Sequence, residues 1–150
     1  EYEVCPGVSS FCGAAAALKA EYTLPNVSQS VIITRMAGRT PVPEKEKISE
    51  LAKHQATMVI FLSTGLLYEL REELLMGGYD ATTPCAIVYK ASWEDELVVR
   101  GVINDLPELA QQHHIKKTAL IVVGRFLGDD YELSKLYDPS FTTEYREASK

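Results

Sequence analysis

Apolar runs alternate with segments of helical composition along this chain, and the alternation predicts its secondary structure. Five short runs rich in β-branched residues have the length and composition of strands. They cover residues 31–33, 57–62, 84–89, 97–103 and 118–124. Segments that carry an alanine run or mixed charges lie between them and predict helices. They cover residues 14–19, 43–53, 66–75 and 108–114.

The order and spacing of these elements predict the fold class. The run at 57–62 is continuously apolar, which is typical of a strand buried on both faces in a parallel sheet. Only a short turn separates 84–89 from 97–103, which predicts one antiparallel pair. We therefore predict an α/β fold with a mixed, mostly parallel sheet of about five strands flanked by helices.

The segment after the first predicted strand changes from apolar to polar. Residues 34–41 place the guanidiniums of Arg35 and Arg39 directly behind a buried strand. In open α/β sheets ligands bind beyond the carboxyl ends of strands, and arginine pairs bidentately with carboxylate or phosphate. This segment is therefore a candidate anion-recognition loop, and a solvated loop with surface ion pairs is the alternative. Two other strand ends carry small polar loops, at 62–65 and 90–93.

Composition and charge narrow the function classes. The net charge of −6 argues against non-specific nucleic-acid binding but leaves room for a local basic pocket. No apolar run has the length of a membrane span and no signal-peptide pattern is present, so we expect a cytoplasmic protein without a membrane partner. The spacing of Cys5, Cys12 and Cys85 favours small buried thiols over a zinc site.

Familiar catalytic motifs do not decide the function. The sequence contains no phosphate-binding loop, dinucleotide fingerprint, nucleophile elbow or zinc-protease motif. His113 and His114 fall at the end of a predicted helix, where a surface pair that compensates the helix dipole is favoured over a metal site. The residues alone therefore predict an α/β ligand-binding domain with no metal centre.

Four stretches together resemble the tetrapyrrole methylase family. They are PGVSS at 6–10, TRMAGRTPVP at 34–43, ATMVIFLS at 56–63 and VYKASWEDE at 88–96. The first and third mark the wider family. The second and fourth are similar to the branch that methylates C-11 of precorrin-4 or cobalt-precorrin-4 in cobalamin biosynthesis, and KLYDP at 135–139 is similar to the same branch.

The resemblance implies S-adenosyl-L-methionine as cofactor and a corrinoid tetrapyrrole as substrate. The residues that it assigns to cofactor binding are Ser9, Ser10, Leu62, Ala91, Thr118 and Ala119. It also implies that Arg35 and Arg39 face the carboxylate side chains of the substrate. Direct methyl transfer to a ring carbon asks little of a side-chain base, so no catalytic residue is nominated. Tyr89, Lys90 and Arg125 have side chains that can transfer a proton or pair with an anion, but they are interpreted as structural.

The resemblance also implies a domain organisation. Family members have two α/β domains with the cofactor between them, and this chain resembles the second domain. Residues 1–29 would be a connection and helix from an amino-terminal domain, 30–128 the carboxy-terminal α/β domain and 129–150 a tail. Residues 1–5 lack an initiator Met and are interpreted as a strand end within a longer protein, so the fragment alone is predicted to be inactive.

Two further expectations complete the interpretation. The resemblance implies a homodimer. The alternative hypothesis, from a different functional class, is a non-catalytic α/β domain that binds an acidic metabolite through the loop of Arg35 and Arg39.

Overall fold

The computed structural model describes residues 1–129, 132 and 138–148. Most of the predicted helices and strands are present. The helices are α1 (Ser10–Leu18), α2 (Ile48–Ala52), α3 (Leu67–Met76) and α4 (Leu106–Gln112). The strands are β1 (Val31–Arg35), β2 (Thr57–Phe61), β3 (Pro84–Tyr89), β4 (Leu97–Val102) and β5 (Ala119–Val123). Within the predicted tail, residues 130–131, 133–137 and 149–150 lie outside the described residues, and these include most of the KLYDP stretch.

The five strands form one mixed sheet in the order β1-β2-β5-β3-β4. Only the pair β1–β2 is parallel, whereas β2–β5, β5–β3 and β3–β4 are antiparallel. The predicted antiparallel turn between β3 and β4 is confirmed, but the prediction of a mostly parallel sheet is wrong. Helices cover both faces of this sheet, so β2 is apolar after Thr57 whatever the direction of its neighbours.

Two apolar clusters hold the sheet between its helices. Helices α2, α3 and α4 pack on one face, against side chains that include Met58, Ile60 and Ile121. Helix α1 and the segment that follows it pack on the other face, against side chains that include Val59 and Val122. Successive residues of each strand therefore pack into opposite clusters, because successive side chains of a strand point to opposite faces of the sheet.

The structure corrects three local predictions. The helix predicted at 43–53 is a single 3-10 turn over Glu44–Glu46 followed by the short α2, because Lys47 is extended with ψ of 147° and interrupts it. Residues 1–5 form no strand. Among the cysteines only Cys85 is buried, while Cys5 and Cys12 are exposed because their side chains pack against neither cluster. In the described part of the chain, no helix combines the length and apolar character needed to cross a bilayer.

Candidate functional site

The carboxyl ends of β1, β2 and β3 lie at the same edge of the sheet, because these three strands run in one direction. The first two are joined by Ser63, whose side chain is fully buried. Its Oγ accepts a hydrogen bond from the Met36 N–H at 2.9 Å and donates one to the Phe61 carbonyl at 2.7 Å. One buried hydroxyl thus fixes the loop after β1 against the loop after β2.

The start of β5 joins the same edge from the opposite direction. The hydroxyl of Thr64, in the loop after β2, donates to the Ala119 carbonyl at 3.4 Å. The N–H of Lys90, just after β3, donates to the Thr118 carbonyl at 2.9 Å. Because β5 is antiparallel to both neighbours, its first residues sit between the tips of β2 and β3. Four strand ends therefore form one hydrogen-bonded rim.

A cavity of about 370 Å³ opens at this rim. Five of the six residues predicted for the cofactor line it together: Ser10, Leu62, Ala91, Thr118 and Ala119. The sixth, Ser9, is the residue before the first turn of α1 and is not part of the lining. The volume is in the range of sites that hold a small organic molecule. The structure thus brings five of the six residues to one cavity, and their binding of a cofactor remains a prediction.

The backbone at the cavity is held in an uncommon conformation. Leu62, Lys90, Ser92 and Thr118 all have positive φ, at 52°, 47°, 71° and 59°. A leucine with this φ is unfavourable because its side chain crowds the backbone. Leu62 is nevertheless 85% exposed, so no burial of its side chain compensates for the conformation. Backbone strain of this kind concentrates at binding sites, where it presents the main chain to a ligand.

The turn after β2 offers polar groups to the cavity. The N–H groups of Thr64 and Gly65 donate to no backbone carbonyl among the described residues. Both residues line the cavity. A Cβ built on Gly65 would meet no atom within 4 Å, so the space beside this cavity residue is open. Unpaired amides beside an open volume suit a ligand with acceptor atoms.

The loop after β3 is fixed by charge. Lys90 forms an ion pair and hydrogen bond with Asp95, and its Nζ lies 5.1 Å from the ring centroid of Tyr89. Asp95, with a smaller contribution from Tyr89, raises the pKa of Lys90. The Ser92 N–H donates to a Glu96 carboxylate oxygen at 2.6 Å. These contacts give Lys90 and Tyr89 a structural role at the end of β3. Arg125 lies apart from them and is exposed, on the 3-10 turn after β5.

The two arginines predicted to contact the substrate differ in their surroundings. The guanidinium of Arg35 donates to three carbonyls of its own loop, those of Met36, Thr40 and Pro41, at 3.0 to 3.1 Å. The Arg39 side chain has no ion pair or hydrogen bond among the described residues and is exposed. Neither lines the cavity. Arg35 therefore shapes the loop, and Arg39 is the guanidinium free for a ligand.

Sequence reasoning missed several cavity residues. It recognised the loops at 62–65 and 90–93 but did not nominate Thr64, Gly65 or Trp93, and it gave no role to Lys116 and Lys117, which precede β5. All five line the cavity. Their position after or before a buried strand was the signal available, since strand ends are where ligands bind in such sheets. The lysines could not be placed without knowing that β5 lies between β2 and β3.

Comparison with known proteins gives the family. The model of Tetrapyrrole (Corrin/Porphyrin) Methylases matches residues 1–107. The cobalt-precorrin-4 C(11)-methyltransferase of Methanocaldococcus jannaschii is 54% identical over the whole chain. The chain spans 58% of that relative's length, so it matches little more than half of the curated protein.

Solved structures agree in fold. The X-ray structure of a cobalt precorrin-4 methyltransferase superposes with a TM-score of 0.82 at 45% identity, covering 84% of this chain and 53% of that one. Uroporphyrin-III C-methyl transferase from Thermus thermophilus, complexed with S-adenyl homocysteine, superposes with a TM-score of 0.67 at 21% identity, covering 83% and 53%. The second likeness shows the fold alone. With its family model, its whole-chain relative and its fold in agreement, this chain belongs to the tetrapyrrole methylase family.

Proposed function

We propose that this chain takes part in the S-adenosylmethionine-dependent methylation of C-11 of precorrin-4 or cobalt-precorrin-4 in cobalamin biosynthesis. The observation that carries the proposal is the 54% identity over all 150 residues with an enzyme of that name. Because the chain spans 58% of that relative, its part is one wall of the cofactor cleft. Residues 30–128 would be the α/β domain of that wall, 1–29 the connection into it and 129–150 the tail.

The cofactor is proposed to occupy the strand-end cavity. The residues proposed to hold it are Ser9, Ser10, Leu62, Ala91, Thr118 and Ala119. The fit is supported by the cavity of about 370 Å³, by the small side chain of Ala91 and by the unpaired amides of the turn after β2. A strained main chain at Leu62 suits recognition by backbone groups, which need no ionisable side chain.

When bound, S-adenosylmethionine supplies a methyl group on a sulfonium that a ring carbon of the substrate displaces. The residues of this chain would contribute position. The hydrogen bonds of Ser63 and Thr64 hold the strand tips at fixed separations, and a cofactor seated on them is presented at one angle. Fixed alignment of two reactants lowers the barrier by removing the entropy of encounter.

Substrate recognition is proposed to rest on the loop after β1. Arg39 is exposed and without a partner among the described residues, so its fork is available for a carboxylate side chain of the corrinoid. Arg35 would support this indirectly, since its three bonds hold the loop on which Arg39 stands. A homodimer stays a prediction, which sedimentation velocity of the chain would test.

A chimera tests the proposed reaction. These 150 residues replace the matching segment of the Methanocaldococcus jannaschii relative, and methylation of cobalt-precorrin-4 is followed by mass spectrometry. We expect a gain of one methyl group that depends on S-adenosylmethionine. A folded chimera that binds neither S-adenosylhomocysteine nor the tetrapyrrole contradicts the proposal. Binding of an acidic metabolite alone would favour the non-catalytic reading.

Filling the cavity tests the cofactor site. Gly65→Leu adds a side chain to open space in front of the turn, so it should block the ligand without disturbing the fold. We expect the Kd of S-adenosylhomocysteine, measured by calorimetry in the chimera, to rise at least tenfold, on the order of 1.4 kcal/mol. The matched control is Gly7→Leu, where a Cβ also meets nothing within 4 Å and which lies outside the cavity. Equal affinities for the two variants would place the cofactor elsewhere.

Substitutions of Arg39 and Arg35 should have different effects on KM and on stability. Arg39→Gln should raise the KM for the tetrapyrrole about tenfold, because a charge-assisted hydrogen bond contributes roughly 1.5–3 kcal/mol. It should leave the free energy of unfolding unchanged. Arg35→Lys should raise KM less but destabilise the loop, since an ammonium cannot serve three carbonyls in fixed fork geometry. Lys19→Asn is the control for lost positive charge. An unchanged KM in a variant that carries both the Arg35 and the Arg39 substitutions counts against the assignment.

A further inference from the structure

Trp93 is an unusual residue to find exposed. It is the only tryptophan of the chain, and it lines the strand-end cavity while 60% of it remains exposed. Tryptophan has a large apolar surface whose burial is favourable. Because the Trp93 ring is largely exposed, the fold gains little of this stabilisation from it. The ring is therefore a candidate contact for a ligand in the cavity.

The ring is held in place by its own loop. The Nζ of Lys90 lies 5.2 Å from the ring centroid of Trp93, a cation–π contact that restrains the indole. Lys90 is itself fixed by Asp95. The Trp93 N–H donates to the Lys90 carbonyl at 3.0 Å, and the Trp93 carbonyl accepts from the Glu96 N–H at 3.1 Å. An aromatic surface restrained in this way loses little freedom when a ligand stacks on it.

Size and charge distinguish the two ligands of the proposed reaction. The cavity of about 370 Å³ lies near the small end of organic-ligand sites, so it suits a nucleoside better than a tetrapyrrole macrocycle with its side chains. The loop also carries Glu94 and Glu96 on either side of the Asp95 that pairs with Lys90. Carboxylate side chains of the substrate would meet like charge at this loop, whereas a neutral purine would not. Lys116 and Lys117 also line the cavity and would attract a carboxylate, so the like charge disfavours the substrate only beside Trp93.

We propose that Trp93 binds the cofactor directly by stacking on its adenine, with Lys90 as the residue that positions the indole. The inference rests on the proposed function, because it assumes that the cavity receives S-adenosylmethionine. The inference adds Trp93 to the proposed binding residues and names adenine as the part of the cofactor that Trp93 contacts. Every aromatic base offers a π face, so a single tryptophan can supply this contact without hydrogen bonds.

The test measures binding and fluorescence. S-adenosylhomocysteine and 5′-methylthioadenosine are titrated into the 150-residue chain and into the chimera, and the emission of Trp93 is isolated in the chimera as the difference from Trp93→Phe. We expect both adenine compounds to quench this emission and homocysteine to leave it unchanged. Trp93→Ala should raise the Kd of S-adenosylhomocysteine roughly tenfold, and Trp93→Phe should restore most of the affinity.

Two variants give the controls. Tyr68→Ala removes an exposed aromatic ring that also has a cation, Arg71, above it at 5.7 Å, but that lies outside the cavity; its affinity should match the parent. Lys90→Met should weaken binding less than Trp93→Ala and should shift the Trp93 emission before ligand is added, because the indole loses its restraint.

The outcomes separate this inference from the proposed function. Calorimetric binding of S-adenosylhomocysteine without quenching, and with equal affinity in Trp93→Ala, overturns the stacking and leaves the proposed function standing. A raised KM for the tetrapyrrole with unchanged cofactor affinity also overturns it and assigns Trp93 to the substrate. Absence of binding in both the chain and the chimera overturns the inference together with the proposed function.

Discussion

Single buried hydroxyls fix much of this structure at the scale of the residue. Ser63 joins two loops at the site. At the other end of β2, the Tyr79 hydroxyl donates to the carbonyl of Ala56, the residue before this strand. Tyr79 is 5% exposed. Burial, opposed in part by Arg125, raises the pKa of Tyr79 from its ordinary value of 10.0 to about 12. A buried hydroxyl whose pKa differs between the folded and unfolded states makes the free energy of unfolding depend on pH.

Tyr79→Phe should lower the free energy of unfolding by about 1–2 kcal/mol at neutral pH, because the Ala56 carbonyl loses its buried partner. It should also flatten the pH dependence. The folded pKa is higher than the unfolded one, so the contribution of Tyr79 is complete below pH 10 and is lost as the pH rises from 10 to about 12. Urea denaturation between pH 7 and pH 11.5 measures both effects.

The control is Tyr145→Phe, since Tyr145 is 95% exposed. Tyr22 and Cys85 also have pKa values raised to about 12 by burial, so some decline above pH 10 should remain in every variant. If the free energy of unfolding of Tyr79→Phe declined above pH 10 as steeply as that of the parent, Tyr79 would not contribute to this pH dependence.

At the scale of the element, the helices on the α2–α4 face depend on close approach. Gly77 ends α3 and faces α2, where an added Cβ would overlap the Cβ of Ala52 and lie 2.7 Å from the Ser49 carbonyl. Helix α2 has five residues and no side-chain cap of its own. Its Ser49 N–H is instead satisfied by the Glu73 carboxylate of α3 at 3.0 Å. Helix α3 therefore caps the short α2.

Gly77→Ala should destabilise the chain by about 1–3 kcal/mol, because the methyl group forces α2 away from α3 in a packed interior. The φ of Gly77 is −75°, so the cost is steric and not conformational. Thermal and urea unfolding measure it. Gly7→Ala, with open space around its Cβ, should stay within about 0.5 kcal/mol of the parent. Equal stabilities for the two variants would contradict the close approach of α2 and α3.

At the scale of the whole molecule, the site depends on strand order. The loops after β1, β2 and β3 were predictable as polar segments behind apolar runs, and each lies where a strand ends. Their convergence required the three strands to be co-directional and β5 to return between two of them. The prediction of one helix at 43–53 was also wrong. The charge pattern of this segment fits a 3-10 turn followed by a short helix packed on α3 as well as it fits one continuous helix.

The sequence by itself determined most of the elements and the chemistry available at their ends. A run such as 57–62 can only be a buried segment, and the stretches at 34–43 and 88–96 indicate the family. The tertiary structure alone decided which of these ends meet. Strand direction is set by the connections and by the helices that cover each face, not by the apolar pattern, which is the same for parallel and antiparallel neighbours. It therefore also decided that Arg35 braces a loop and that Trp93 borders the cavity.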